Sequence, residues 1–492
     1  MDPLKVLFVS PEVVPFAKTG GLADVAGSLP KALKALGCNV RLVMPLYQSV
    51  RQGKFPLKKV LEDLPILMGG RQITADIYQG ELEEGLPVYF IERDEFYDRL
   101  NLYGSAQGEY FDNDRRFVYL ARGTLNMAQA LGFQPDIIHC HDWQTGLIPA
   151  YVHFGRGADP FYRNSATVFT IHNVAYQGLF PKEIVELAGL PEESFSSSGM
   201  EFWGQASLLK AGIVYSQIIN TVSRKYSQEI QTTEYGNGLE GILNSRKDDL
   251  FGILNGVDYE LWNPEIDAFL AAHYNPQDFS GKKDCKKDLL NQYKLPKDRI
   301  NYPLLGMISR LADQKGFDLL AEVLDRLLKK QVSLVVLGTG EEKYHHLLTE
   351  LAERYPKKMG VRLTFNNVLA HKIEAGSDMF LMPSRYEPCG LNQIYSLKYG
   401  TIPVVRATGG LDDTIIPFDP QTGEGTGFKF DLYQAEALWA AIEEALKVFQ
   451  NQTQWVQLMK NAMAIDFSWK VSAREYIKLY QLARERLGSL KL

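Results

Sequence analysis

The feature that most constrains the fold is an alternation of short apolar runs with longer amphipathic segments along nearly the whole chain of 492 residues. The apolar runs are almost uninterrupted, as expected of parallel strands that are buried on both faces. The segments between them have helical periodicity, as in Leu22–Leu36 and Arg116–Leu131. Such alternation predicts an α/β fold with doubly wound sheets. In the first half the predicted strands are Val6–Val9, Val40–Met44, Val88–Ile91, Ile137–Cys140, Thr167–Ile171 and Ile218–Val222.

The amino-acid composition changes between about Trp262 and Asp298, where prolines and charged residues accumulate. We interpret most of this segment, including the charged run 281–288, as a solvated connection. A chain of 492 residues is too long for one ordinary core, so two large domains are expected. After the connection the predicted elements are Leu304–Ile308, Phe317–Lys329, Val332–Leu337, Glu342–Arg354, Phe380–Pro383, Ile402–Val405 and Ala435–Phe449, followed by helices around Trp455–Met463 and Ala473–Leu487.

Composition and charge argue against several functional classes. The chain has 53 basic and 59 acidic residues, a net charge of −6, which gives no general attraction to nucleic acid or to an anionic membrane. The first apolar run is too short for a signal peptide, and no segment approaches the ~20 apolar residues of a membrane span. Cys38, Cys140, Cys285 and Cys389 have no metal-ligand spacing and indicate no disulfide framework. We therefore expect a soluble, reduced, cytoplasmic protein.

The most informative motif is Ser384–Leu391, which lies between the apolar run Met379–Met382 and a helix-like segment from Ile394 to Tyr399. The opening amides of such a helix have no internal partners and point outward. Glu387 stands before them as a carboxylate. Amide donors beside a carboxylate suit a ligand rich in hydroxyls, such as a sugar.

A turn follows the first predicted strand of each half. Lys18–Leu22 contains two glycines that allow close approach to a phosphate, although a plain tight turn has the same pattern. In Ser309–Gly316, the cations Arg310 and Lys315 follow a strand's carboxyl end, where open α/β sheets bind ligands. They are expected to clamp a diphosphate, each charge-assisted bond contributing about 1.5–3 kcal/mol. The alternative is a solvated basic turn.

His139 and His141 lie two residues apart at the end of a predicted strand, just before Asp142. That spacing places both imidazoles on one face and admits a metal site, but no third ligand is near in sequence. The interpretation we favour is that Asp142 and its neighbours form the wall of a cleft. His172 and Asn173 end the next strand in the same way.

Taken together, these motifs resemble those of the bacterial glycogen synthases and plant starch synthases, which are retaining glucosyltransferases that use ADP-glucose. The matching segments occur in family order and cover nearly the whole chain. They are Lys18–Leu22, His141–Trp143, His172–Gly178, Leu254–Asp258, Ser309–Gly316, Ser384–Leu391 and Thr408–Asp413.

The resemblance implies a GT-B fold, in which two Rossmann-like, doubly wound domains face each other across a deep cleft. We expect an N-terminal domain at 1–256, a nucleotide-sugar domain at 257–468, and a final helix at 469–492 that crosses back to the first domain. The implied reaction transfers glucose from ADP-glucose to the non-reducing end of an α-1,4-glucan with retention of configuration. The expected partners are therefore ADP-glucose and the glucan, with no metal or cofactor, no nucleic acid and no membrane.

The resemblance also implies the site residues. Catalytic roles are expected for Glu387, His172, Asp142, Arg310 and Lys315, where the two cations bind the diphosphate and Glu387 lies near the donor glucose. Substrate-binding roles are expected for Lys18, Gly20, Gly21, Asp24, Tyr103, Asn173, Asn255, Phe365, Cys389, Gly390, Leu391, Thr408 and Gly409.

Two positions depart from the family pattern. Phe365 stands where relatives often carry tyrosine near adenine, so stacking is retained and a hydroxyl contact is lost. Gln144 stands where many relatives carry histidine. Three other interpretations are a GT-B transferase with another donor, a phosphorylase, and a non-catalytic glucan-binding homologue. A phosphorylase would need a lysine that anchors pyridoxal phosphate, and no such lysine is identified. The non-catalytic homologue predicts loss of the charged residues, all of which are present.

Overall fold

The computed structural model describes residues 3–105 and 107–489, so the predicted domain ends at residues 1 and 492 lie outside the described part. The chain divides into two compact units. The first contains the chain up to Val222, the segment Ser227–Gly256 and the chain from Trp469 onward. The second contains Ser223–Tyr226 and Val257–Ser468.

The first unit is built on a nine-stranded sheet. Seven neighbouring strands are parallel, and two antiparallel strands extend one edge. Lys5–Val9, the first strand in sequence, lies centrally between Asn39–Pro45 and Ile137–His141. The strand order therefore reverses on either side of it, which makes the boundary between Lys5–Val9 and Ile137–His141 a topological switch point. In spatial order the strands are Leu250–Gly252, Ile218–Thr221, Ala166–Ile171, Ile137–His141, Lys5–Val9, Asn39–Pro45, Leu86–Glu92, Arg71–Glu83 and Lys58–Met68.

The final helix, Trp469–Ser489, belongs to this unit and packs against Gly21–Ala35. Its Tyr480 hydroxyl lies 2.8 Å from Nδ1 of His139, and its Tyr476 hydroxyl accepts a hydrogen bond from the Asn220 side chain at 3.0 Å. The other helices of this unit are Gln48–Gln52, Asp94–Tyr97, Asn113–Ala130, Leu147–Gly155, Ile184–Ala188, Leu208–Tyr215 and Glu240–Ser245. The helix Arg224–Glu229 includes the boundary between Tyr226 and Ser227, so its residues are divided between the two units. A small antiparallel sheet has the order Leu179–Phe180, Gln205–Ser207 and Glu201–Phe202.

The second unit is built on a six-stranded sheet that is parallel throughout. Its switch point lies between the neighbouring strands Leu304–Ile308 and Met379–Met382. In spatial order the strands are Met359–Arg362, Ser333–Leu337, Leu304–Ile308, Met379–Met382, Ile402–Arg406 and Phe428–Phe430. The helices are Ser280–Gln292, Phe317–Lys329, Glu342–Arg354, Asn367–Gly376, Asn392–Lys398, Gly409–Thr414, Ala435–Phe449 and Gln452–Met463.

The prediction that residues 262–298 form a solvated connection was wrong for much of the segment. Ser280–Gln292 is a helix, and Lys282 within it is buried. The Lys282 ammonium donates to the carbonyls of Ala375 and Tyr399 at 3.0 Å each and to the Thr401 hydroxyl at 2.7 Å. Burial lowers the pKa of this lysine to about 8. These three oxygen acceptors satisfy a charged group that the sequence places in an apparently solvated run.

Candidate active site

The switch point of the second unit carries the predicted diphosphate clamp and the predicted carboxylate. Arg310 and Lys315 follow the strand Leu304–Ile308, and Glu387 follows its neighbour Met379–Met382. The Lys315 ammonium lies 2.6 Å from Oε2 of Glu387, and both side chains are largely buried. The carboxyl edge at this position is where open α/β sheets bind ligands.

A glycine allows Lys315 to reach Glu387. Gly316 has φ +76°, and a Cβ built on it would lie 2.0 Å from the carbonyl oxygen of Pro383. A residue with a side chain would therefore push apart the two loops that carry the ion pair. The Ser384 hydroxyl adds a hydrogen bond to the same carboxylate oxygen at 3.1 Å.

Two further glycines, Gly409 and Gly410, pack against the loop that carries Glu387. Gly409 has φ +46°, and a Cβ there would lie 1.9 Å from the Glu387 carbonyl oxygen. A Cβ on Gly410 would lie equally close, at 1.9 Å, to the Cys389 carbonyl oxygen. The preceding residue, Thr408, is buried. The structure thus packs Gly409 and Gly410 against the loop of Glu387, and the substrate-binding roles of Thr408 and Gly409 stay a prediction.

The segment after Glu387 has the local geometry of a turn into a helix. Cys389 is buried, Gly390 has φ +71°, and the helix begins at Asn392, two residues before the predicted start. The Gln393 side chain donates to the carbonyls of Cys389 at 2.9 Å and Gly390 at 3.1 Å. The proposed contacts of Cys389, Gly390 and Leu391 with a sugar stay a prediction.

Arg310 and Phe365 lie at the same carboxyl edge and are solvent-exposed. The Arg310 guanidinium donates to the side-chain oxygen of Gln314 at 2.9 Å. Within residues 3–105 and 107–489 it forms no ion pair with a carboxylate. Phe365 follows the strand Met359–Arg362 and is 81% exposed. An unpaired cation and an exposed ring at this edge are both available to a ligand.

The switch point of the first unit positions Asp142 and His172. Asp142 follows the strand Ile137–His141 and has φ +54°, an uncommon conformation for a residue with a side chain. Its carboxylate accepts the backbone N–H of His172 at 2.7 Å and also that of Asn173. Burial raises the pKa of Asp142 to about 7, although these amide bonds oppose the shift.

His172 is a neutral imidazole near pH 7, because burial lowers its pKa to about 3. Its Nε2 lies 2.9 Å from Nδ1 of His141, and burial lowers the pKa of that histidine as well. Both ring nitrogens of His139 meet protein hydroxyls, those of Tyr480 at 2.8 Å and Thr170 at 2.7 Å. The described residues contain no group of three or more side chains with the arrangement of a metal site.

The glycine turn of the first unit is held by a residue that sequence reasoning missed. The Glu12 carboxylate accepts the Thr19 backbone N–H, the Thr19 hydroxyl at 2.6 Å, the Gly20 N–H at 3.3 Å and the Tyr103 hydroxyl at 2.7 Å. Glu12 is 3% exposed. The available signal was its position just after the central strand Lys5–Val9, at the carboxyl edge.

Lys18 pairs with Asp24 instead of lying free, and their charged atoms are 2.7 Å apart. Burial raises the pKa of Asp24, and the Lys18 ammonium partly offsets that effect. Gly20 and Gly21 have open space where a Cβ would be, so packing does not require either to be glycine. Asn173 directs its side-chain oxygen to the Ala175 N–H at 3.1 Å, so its ligand role stays a prediction.

Five buried side-chain amides have oxygens without a hydrogen-bond partner among the described residues. Two of them bear on the predicted site, those of Asn255 and Gln144. Asn255 is a predicted substrate-binding residue, and Gln144 is one of the two departures from the family pattern. In the same described ranges, no helix has the length and apolar character needed to cross a membrane.

Comparisons with known proteins agree on one family. Residues 5–245 match the starch synthase catalytic domain family, and residues 292–461 match glycosyl transferases group 1. The glycogen synthase of Moorella thermoacetica is 49% identical, with 98% of each chain covered. The glycogen synthase of Koribacter versatilis is 47% identical, over 98% of this chain and 99% of the relative.

Solved structures extend the agreement to the fold. The catalytic domain of Starch Synthase IV from Arabidopsis thaliana, bound to ADP and acarbose, matches with a TM-score of 0.88 and 32% identity, covering 98% of this chain and all of that one. Sucrose-phosphate synthase from Thermosynechococcus elongatus shares the fold at a TM-score of 0.60 and 17% identity, covering 97% and 98% of the two chains. With two Rossmann-like units, each carrying charged groups at its switch point, and relatives matched over nearly its full length, this chain belongs to the glycogen and starch synthase family of GT-B glucosyltransferases.

Proposed function

We propose that this protein elongates α-1,4-glucans by transferring glucose from ADP-glucose to their non-reducing ends with retention of configuration. The observation that carries the proposal is the Lys315–Glu387 pair at the switch point of the second unit, with the unpaired Arg310 guanidinium at the same edge. The related starch synthase that was solved with ADP and acarbose supports a donor that contains adenosine diphosphate, and a glucan acceptor.

The two cations act on the leaving group. As the glycosidic bond to ADP stretches, negative charge grows on the diphosphate, and a fixed cation stabilises that charge more strongly in the transition state than in the ground state. Arg310 has no carboxylate partner among the described residues, so a phosphate would not have to displace one. Lys315 is held in place by Glu387. Phe365, 81% exposed, offers a face on which adenine can stack.

Retention is proposed to occur by attack on the same face from which ADP leaves. The acceptor hydroxyl oxygen forms the new bond to the anomeric carbon, the bond to the phosphate oxygen breaks, and that oxygen takes the acceptor's proton. The rival mechanism uses Glu387 as a covalent nucleophile. The Lys315 ammonium and the Ser384 hydroxyl both bind Oε2 of Glu387, which reduces its nucleophilicity and favours the same-face route.

His172 and Asp142 have positioning roles in this proposal. A neutral imidazole can donate a hydrogen bond to a sugar hydroxyl without adding a positive charge near the developing oxocarbenium ion. The Asp142 carboxylate fixes the backbone of His172 through its N–H at 2.7 Å.

The proposal is tested by identifying the product. The purified protein is incubated with ADP-glucose and maltotriose, and the products are analysed by NMR and by ADP release. We expect maltotetraose with a new α-1,4 linkage and one ADP per transfer, and we expect Glu387→Gln to abolish both. Ser384→Ala is a matched control that removes one hydrogen bond from the same carboxylate. A β linkage, or no transfer at any enzyme concentration, would contradict the proposal.

A further inference from the structure

A tight turn in the first unit presents an indole ring to solvent. Trp203 is 84% exposed and lies between the strands Glu201–Phe202 and Gln205–Ser207 of the small antiparallel sheet. All six tryptophans of the chain fall within the described residues, and Trp203 is the exposed one among them. Single exposed apolar side chains are common on protein surfaces, so the exposure of this indole points to a ligand only in combination with the backbone that presents it.

The backbone at this position does not explain the choice of tryptophan. Trp203 has φ +52° and Gly204 has φ +82°. These values are typical of a two-residue hairpin turn, whose two positions are usually occupied by asparagine and glycine. A bulky residue is disfavoured in this conformation. The indole has one ring neighbour, Phe202, with ring centroids 6.3 Å apart, so packing does not explain it either.

The turn is nevertheless held rigidly. The Glu201 carboxylate accepts the Gly204 N–H at 2.7 Å. The Lys210 ammonium, at the base of the hairpin, donates to the carbonyl of Glu201 at 2.6 Å and to that of Ser197 at 2.7 Å. Because the backbone of the turn is already fixed, a ligand that binds there would have to order only the side chain.

The same small sheet is connected to the predicted catalytic segment of this unit. Its strand Leu179–Phe180 directly follows His172–Gly178 along the chain and pairs with Gln205–Ser207. Tyr176 in that segment is 51% exposed. The indole therefore stands on a sheet continuous with the segment that contains His172, and a polymeric acceptor extends well beyond its reacting sugar.

We propose that Trp203 is a stacking platform for the α-1,4-glucan acceptor, at a subsite remote from the reacting end. The proposal rests on the proposed function for the identity of the ligand. The C–H face of a pyranose is apolar and flat, and it fits the face of an exposed indole that is carried on a rigid turn. Aromatic side chains of this kind are the usual anchors of binding surfaces.

A graded set of variants separates stacking from folding. Trp203→Asn suits the turn and removes the ring, whereas Trp203→Phe retains a smaller ring. We expect Trp203→Asn to raise KM for maltoheptaose and glycogen about tenfold, with Trp203→Phe intermediate. The kcat, the KM for ADP-glucose and the KM for maltotriose should be unchanged. Leu67→Ala, which removes a 55% exposed side chain from the edge strand Lys58–Met68, is the matched control.

A binding measurement without donor makes the test independent of catalysis. Iodide should quench the fluorescence of Trp203 in the wild type, and maltoheptaose should protect it; both effects should be absent in Trp203→Phe. Unprotected quenching together with an unchanged glycogen KM in Trp203→Asn would overturn the subsite. If the wild type transfers no glucose from ADP-glucose, the proposed function fails, and the quenching experiment still decides whether Trp203 binds a glucan.

Discussion

Replacing Glu12 by alanine should loosen the glycine turn Lys18–Gly21 without touching any group that we assign to bond breaking. In the structure the Glu12 carboxylate accepts two backbone amides, Thr19 and Gly20, and two hydroxyls, Thr19 and Tyr103. Burial keeps the pKa of Tyr103 well above its usual range, so its hydroxyl stays protonated and donates. Alanine removes all four acceptor contacts.

The size of the effect follows from these contacts. A hydrogen bond to a charged group contributes about 1.5–3 kcal/mol, and water can replace part of it at the exposed side of the turn. We therefore expect opening of the turn to become easier by about 3 kcal/mol, or roughly 100-fold. In Glu12→Gln the amide oxygen can still accept the two N–H groups, and its NH2 can donate to the two hydroxyl oxygens. Only the charge assistance is lost in Glu12→Gln, so opening of the turn should become easier by about half as much as in Glu12→Ala.

Hydrogen exchange of the Thr19 and Gly20 amides measures this opening directly. Protection should fall most in Glu12→Ala and less in Glu12→Gln. It should fall least in Thr19→Val, which removes one hydroxyl and leaves the carboxylate. The KM for ADP-glucose should rise in the same order, because the turn is the predicted phosphate loop. Unchanged amide protection in Glu12→Ala would refute the anchoring role.

Three further predictions concern the chemistry. Arg310→Ala and Lys315→Ala should each lower kcat by ~10³-fold, about 4 kcal/mol, with a smaller rise in donor KM; a normal kcat in steady-state assays would assign them to ground-state binding. Burial raises the pKa of Asp142 to about 7, so a requirement for its ionised form predicts that kcat/KM rises with pH through about 7. This rise of kcat/KM with pH should be absent in Asp142→Asn. Dialysis against EDTA should leave activity nearly intact, and a large loss restored by Mg²⁺ would show that cationic side chains do not suffice for the diphosphate.

Elements with a strong local pattern could be predicted from the sequence. Phe317–Lys329 has the predicted bounds because its apolar residues recur at helical spacing, and Leu304–Ile308 because it is continuously apolar. The antiparallel strands Lys58–Met68 and Arg71–Glu83 were missed, since charged and polar residues interrupt their apolar ones and both strands are partly exposed. The signal was the Gly-Gly turn between them, where both residues have positive φ.

The site was only partly accessible to sequence reasoning. The carboxyl ends of strands identified Arg310, Glu387 and Asp142 as candidates, and the family resemblance supplied their expected roles. The contact of Lys315 with Glu387 joins residues 72 positions apart, which no local pattern encodes. Glu12 was overlooked because a single carboxylate after a strand has no distinctive spacing, and its importance appears only when its donors are in place.

Donor preference tests the central claim most directly. With glycogen as acceptor, kcat/KM is measured for ADP-glucose and UDP-glucose on the wild type and on Phe365→Ala. The account predicts a clear preference for ADP-glucose that narrows when the ring proposed to stack on adenine is removed. Equal or reversed preference in the wild type would contradict it.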